Sequence, residues 1–184
     1  EHESEAMLEE KLIKHLQILG YEKVSLKNID DVKNNFRKQI NIHNSEELNG
    51  KDLSDKEFER LYNIITGKGV FASAKILREK QCIERDDGKK IYIELFNKRQ
   101  WCKNTYQVSN QITSITGESE TRYDVTLFIN GIPVTQIELK ARGKELKEAV
   151  NQIERYRRTS YKELYKFIQI YVVSNGVNTN VFVK

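Results

Sequence analysis

"RYDVTLFINGIPVTQIELKARG", residues 122–143, is the stretch on which the reading of this chain turns. Residues 122–129 and 133–140 each alternate apolar and polar side chains, the pattern of half-buried strands. Between them Asn130-Gly131 is a tight hairpin turn. The first run opens with Asp124 and the second ends Glu138-Leu139-Lys140. Side chains two apart on a strand share a face, about 7 Å along the chain. Glu138 and Lys140 therefore point the same way, while Ile137 and Leu139 turn the other face to a core. Registry centred on 130–131 pairs residue 124 with a position near 137, one pleat from Glu138. A bulge or small register shift would bring the two carboxylates together.

Outward from this hairpin the texture changes along the chain. Residues 4–19 predict an amphipathic helix, with Leu8, Leu12, Leu16 and Leu19 at helical spacing and Gly20 as the stop. Residues 28–44 give a weaker helix around Ile29, Val32, Phe36 and Ile40. Residues 44–55 are a polar loop. Ser54-Asp55 caps a third helix holding Phe58, Leu61, Ile64 and Ile65, broken by Gly67 and Gly69. Residues 71–80 predict one more short helix. Strands follow at 91–96 and 106–115, then the hairpin, a helix over 144–158, and an apolar strand, "FIQIYVVS", at 167–174, expected to be buried on both faces. The order implies an α/β fold with a mixed central sheet.

Composition narrows the class without naming a function. The 184 residues are 38% hydrophobic and 32% charged, a globular balance and long enough for one packed domain. No apolar run approaches the roughly 18 residues of a membrane span. The acidic Glu-His-Glu-Ser-Glu start is unlike a signal or transit peptide. Cys82 and Cys102 form no CxxC pair. The net charge of +4 permits nucleic-acid contact without arguing for it.

Two carboxylates converging beside a lysine suit a hard divalent cation such as Mg²⁺, which takes one or two protein carboxylates and keeps several waters. The cation stabilises charge on a phosphate and acidifies a bound water, and the lysine can hold a phosphate oxygen. This is the chemistry of phosphodiester hydrolysis. The bland alternative is a solvated face of an edge strand. Glu5 is a further candidate: at about 100° per residue it lies about 20° from Leu12, in the apolar face of the first helix, with Glu9 at about 60°. A carboxylate there is costly without a partner or metal.

The stretch 122–143 resembles the nuclease motif of the PD-(D/E)xK superfamily and, more closely, the R (restriction) subunit of type I restriction-modification enzymes. In that family a D-V-x-L-x-x-N-G-x-P segment leads into I-E-L-K. Tyr123 stands where the superfamily's proline would be. The similarity runs downstream through "EAVNQIERY" to "FIQIYVVSNGVNT" and upstream to "SEAMLEEKLIKHLQILGY"; residues 30–110 carry little of it.

The resemblance implies a restriction-endonuclease-like core in one domain, 1–184, with 1–85 mainly helical and 86–184 carrying the catalytic sheet and helix. It implies catalysis by Asp124, Glu138 and Lys140, together with Gln152 and Tyr156. Gln152 and Tyr156, four apart on one helical face, match the family's Q-x-x-x-Y motif and sit at the rim of the stripe Leu146, Ala149, Val150, Ile153. Asp124, Glu138 and Glu5 are the expected Mg²⁺ ligands. From Lys140 to Arg158 inclusive there are seven Lys or Arg and three Glu; Arg142, Lys144, Lys147, Arg155, Arg157 and Arg158 form the expected phosphate-contact strip.

The implied activity is Mg²⁺-dependent cleavage of unmodified foreign double-stranded DNA in the prokaryotic cytoplasm, after ATP-driven translocation by a helicase motor in the same polypeptide. Methyltransferase (M) and specificity (S) subunits are the implied partners. No GxxxxGK[ST] occurs here, so ATP binds elsewhere, and the chain is expected to be a fragment. A stand-alone resolvase-like nuclease and a non-catalytic DNA-binding or docking module remain as alternatives.

Overall fold

The computed structural model describes residues 3–67, 69–159 and 161–183, without the side chains of 70–73 and 159. The acidic start at Glu1-His2 lies outside them. Helix α1 (Glu5–Ile18) is capped by Ser4, whose Oγ accepts the Met7 N–H at 3.3 Å. A two-residue strand β1 (Glu22–Lys23) follows, then α2 (Ile29–His43), capped by Asn28 through the Asp31 N–H at 2.9 Å. Helix α3 (Asp55–Thr66) opens with a reciprocal cap: Ser54 Oγ accepts from Glu57 N, and Glu57 Oε2 accepts from Ser54 N. This satisfies two donors that a helix start would otherwise leave bare. Helix α4 (Val70–Arg78) leads into a hairpin of β2 (Gln81–Glu84) and β3 (Lys90–Ile93).

The main sheet is built from β4 (Tyr106–Thr116), β5 (Ser119–Ile129), β6 (Ile132–Leu139), β7 (Ile170–Ser174) and β8 (Thr179–Val183), in the order β1-β4-β5-β6-β7-β8. Strands β4, β5 and β6 run antiparallel; β7 joins β6 in parallel through helix α5 (Lys147–Thr159), and β8 turns back along β7. The expected mixed α/β sheet flanked by helices is present.

Both sheet faces are covered. On one, α1 brings Ile13 and Leu16 against Val108, Val125, Leu127, Ile137 and Leu139. On the other, a larger core joins α2, α3 and α5 to Tyr123, Phe128, Ile132, Tyr171 and Val173. Two expectations need correction, and three strands went unpredicted. The strand at 91–96 is shorter and lies outside the main sheet, paired with β2. Strands β1, β2 and β8 carry too few alternating residues to declare themselves; β8 is exposed throughout. The 167–174 run does not form a strand buried on both faces, since Ile170 is 40% exposed at its start and residues Glu163–Phe167 form a 3-10 turn.

The hairpin sets the site. Asn130 and Gly131 both have positive φ, 50° and 78°, the type I′ geometry that matches strand twist. Pairing runs Ile129–Ile132 and Phe128–Pro133, then jumps to Leu127–Thr135. Val134 is thus an extra residue, a β-bulge. Beyond it Val125 pairs with Ile137, which carries Asp124 opposite Glu138 instead of Ile137.

Candidate functional site

Asp124 sits where β5 and β6 part. The last paired rung is Val125–Ile137; one residue further, Asp124 Oδ2 accepts the Leu139 backbone N–H at 2.9 Å. The side chain replaces the strand's own acceptor, so β6 keeps its hydrogen bond while the backbones diverge. The rung is distorted on the other side too. Gln111, opposite Asp124 on β4, has φ +56°, a conformation uncommon for a side-chain-bearing residue outside a turn. The inside-outside alternation breaks here: Ile112 and Tyr123 belong to the larger core, whereas Val108 and Val125 face α1.

Glu138 is completely buried, at 0% exposure, which rules out the solvated-edge alternative. Its Oε1 accepts from Gln136 Nε2 at 3.0 Å; no donor reaches its Oε2, and the Asp124 carboxyl lies close enough to share a hydrogen bond once Glu138 is protonated. Burial, reinforced by the neighbouring Asp124 carboxylate, pushes the Glu138 carboxyl well above the usual carboxylate range; the Gln136 hydrogen bond and the Lys140 charge oppose this. A buried acceptor without a donor is rare and calls for a partner. Lys140 is half-buried, and its backbone N–H donates to Ser174 O at 2.9 Å, holding the residue against β7.

Above Glu138 lies a set of packed tyrosines. Tyr123 stacks on Tyr165 with centroids 4.5 Å apart and meets Tyr156 edge-on at 5.3 Å. Position 123, next to Asp124, thus holds a core aromatic. Gln152 donates to the Tyr156 hydroxyl, which in turn donates to Arg122 O at 3.4 Å, two residues before Asp124. Gln152 is half-buried as expected. Tyr156 is not at the rim: it is 2% exposed, because the sheet opposite α5 presents aromatic side chains that close over it.

Glu5 does not lie among leucines. It is exposed, in the first turn of α1, where the helix runs past the end of β6; its Oε1 accepts the Ala141 N–H at 3.2 Å. It therefore approaches the lysine end of β6, but among the described residues no group of three or more His, Cys, Asp or Glu converges as a metal-holding set. Glu9 is the half-buried acid of this helix, accepting from Asn110 Nδ2 at 2.5 Å and Gln111 Nε2 at 2.6 Å. Arg142, Lys144, Lys147, Arg155, Arg157 and Arg158 are all exposed. Arg157 is paired with Glu154 at 2.9 Å, and Arg155 lies 5.8 Å from the Tyr156 ring.

Gln136 and Thr126 escaped the sequence reading, which placed Glu9 only at the edge of the apolar face of α1. Polar residues at alternating strand positions look solvent-facing; that Gln136 lies two residues before Glu138, on its face, was the available signal.

The sequence family described as the type I restriction enzyme R protein N terminus matches residues 2–184. The chain is 44% identical over 178 residues to the type I restriction enzyme SsaAORF53P endonuclease subunit of Staphylococcus saprophyticus, covering 97% of this chain and 19% of that protein. It is similarly 44% identical to the SauCOLORF180P endonuclease subunit of Staphylococcus aureus, covering 98% and 19%. With the EcoprrI endonuclease subunit of Escherichia coli it shares 34% identity, across 98% of this chain and 59% of that one. The chain thus spans 19% of the length of its staphylococcal relatives. The match extends over nearly every residue, and the chain belongs to the family of type I restriction enzyme R protein N termini.

Proposed function

We propose that this chain is the Mg²⁺-dependent DNA endonuclease domain of a type I restriction enzyme R subunit, with a PD-(D/E)xK core. One observation carries the reading. A fully buried carboxylate, Glu138, has an oxygen with no donor, opposite a second carboxylate, Asp124, and two residues before a lysine. Two negative charges so placed are unfavourable alone and favourable around a cation, and this donor set suits Mg²⁺.

Asp124 and Glu138 would hold the ion, with water completing its shell. Bound there, Mg²⁺ would supply charge stabilisation at a phosphate and a more acidic water. Lys140 would hold a phosphate oxygen. Gln152 and Tyr156 act behind the carboxylates, fixing the backbone at Arg122 from which β5 enters the site. Glu5, tied to Ala141, steadies the chain just past Lys140 and need not touch the ion. The exposed Arg142, Lys144, Lys147, Arg155, Arg157 and Arg158 would meet DNA phosphates without reading bases. The relatives are named endonuclease subunits; by extension the whole protein would use ATP through a motor outside this chain, work with M and S subunits in the prokaryotic cytoplasm, and cut unmodified double-stranded DNA. Among the described residues no helix is long and apolar enough to cross a membrane.

The test is plasmid nicking by this chain with Mg²⁺, with and without ATP. We expect weak, sequence-blind nicking, indifferent to ATP and lost in Asp124→Ala, Glu138→Ala and Lys140→Ala, with the lysine variant still binding Mn²⁺. Efficient cutting at a defined sequence would make the chain a self-contained restriction enzyme and overturn the R-subunit reading.

A further inference from the structure

The two oxygens of Glu138 are not equivalent, and a buried chain of side chains makes them so. Tyr165, Thr126 and Gln136 are buried at 1%, 0% and 0% exposure. The Tyr165 and Thr126 hydroxyl oxygens lie 2.9 Å apart; Thr126 Oγ1 donates to Gln136 Oε1 at 2.7 Å; Gln136 Nε2 donates to Glu138 Oε1 at 3.0 Å. With Glu138 ionised, the state that a cation ligand requires, one direction of donation satisfies every member. A carboxylate oxygen needs a donor, so the Gln136 amide nitrogen must face it. The amide oxygen then faces Thr126, whose single proton must go there, leaving Tyr165 to donate to Thr126. The chain ends on Oε1 and stops, so Oε2 is left bare.

We propose that Gln136, oriented by Thr126 and Tyr165, is a positioning residue that occupies Glu138 Oε1 and reserves Oε2 for the divalent cation. This rests on the metal-nuclease reading above. Without the Thr126 hydroxyl the Gln136 Oε1 loses its donor, and the amide is held at its nitrogen alone, so it can swing and turn the Glu138 head. Preorganisation of a ligating carboxylate by a hydrogen-bonded neighbour is worth about 10–100-fold in metal affinity at characterised sites.

The experiment is calorimetric Mn²⁺ binding to the 184-residue chain, well below its melting temperature, with DNA nicking measured in parallel. We expect Thr126→Val and Gln136→Met to weaken Mn²⁺ binding about 10-fold or more, Thr126→Ser to restore it, and Tyr165→Phe to fall between. In nicking, the Mg²⁺ concentration needed for half-maximal rate should rise more than the saturated rate falls. If Gln136→Met does not fold, the comparison of Thr126→Val with Thr126→Ser decides. Wild-type Mn²⁺ affinity in folded Thr126→Val, with binding lost in Asp124→Asn, would overturn the positioning role and leave the metal site standing. A wild-type chain that takes up no Mn²⁺, or Asp124→Asn binding as tightly as wild type, would overturn the metal reading and this proposal together.

Discussion

Asp124 accepts the Leu139 backbone N–H at 2.9 Å, so the side chain that would ligate the metal also closes the seam between β5 and β6. Replacement by Asn keeps an acceptor for Leu139 and removes a charge from beside buried Glu138. Asp124→Asn should therefore fold, melt no lower than wild type without metal, and lose at least about 10²-fold in cleavage. Asp124→Ala should lose the same activity and also melt lower, by about 2–4 °C for each kcal/mol lost in a chain of this size. Melting curves paired with nicking rates separate the two roles.

Glu138 makes the metal-free chain less stable as pH rises. Its folded carboxyl titrates above its unfolded one because burial, then Asp124, disfavours the charge. The folded state thus binds more protons as pH climbs from the unfolded value, about 4.3, through the raised folded one, and stability falls across that window. Lys140, and the tyrosines at 123, 156, 161 and 165, share this environment. Comparing wild type with Glu138→Gln isolates the glutamate. We expect Glu138→Gln to flatten the decline, and Mn²⁺ to flatten it in wild type; an equal slope in both proteins would contradict the burial argument.

Tyr156 is core as well as motif. Its ring meets Tyr123 edge-on, so Tyr156→Ala should cost about 3–5 kcal/mol. Tyr156→Phe keeps the ring and loses the bond to Arg122 O, costing about 1 kcal/mol. Gln152→Ala, at a half-buried position, should cost about as little. Cleavage by folded Tyr156→Phe is the informative number: a wild-type rate would make the residue purely structural.

Gly131 lies at φ +78°, and a β-carbon there would come 2.6 Å from Phe36 Cα. Gly131→Ala should destabilise by more than the roughly 1–2 kcal/mol of the left-handed backbone alone, because α2 must also shift. Thermal unfolding with circular dichroism measures this.

The basic strip should behave as independent charges. Removing Lys144, Lys147 and Arg158 together should lower the salt-dependence slope of DNA binding by about 0.9 for each phosphate no longer neutralised. Arg157→Ala should matter less, since Glu154 already pairs with it.

Local signals in the chain determined much of this protein. Alternation, the Asn-Gly turn, the Ser54 cap and the leucine spacing of α1 each act over a few residues, so the main helices, the central hairpin and the candidacy of Asp124, Glu138 and Lys140 were readable in one dimension. Tertiary structure alone decided the rest. The bulge at Val134 that brings Asp124 opposite Glu138 arises from the mismatch of turn and strand registry, which no alternation pattern displays. Burial of Glu138 depends on α5 with Tyr156, and on Tyr123, Tyr161 and Tyr165 beside it, covering a strand face that looks polar in sequence. For the same reason Tyr156 moved from rim to core, and Gln136 and Thr126, polar residues at positions that resemble a wet surface, became the inner support of the carboxylate. Glu5 went the other way: helical periodicity gives an angle about the axis, but not how far the helix runs beyond the sheet it covers.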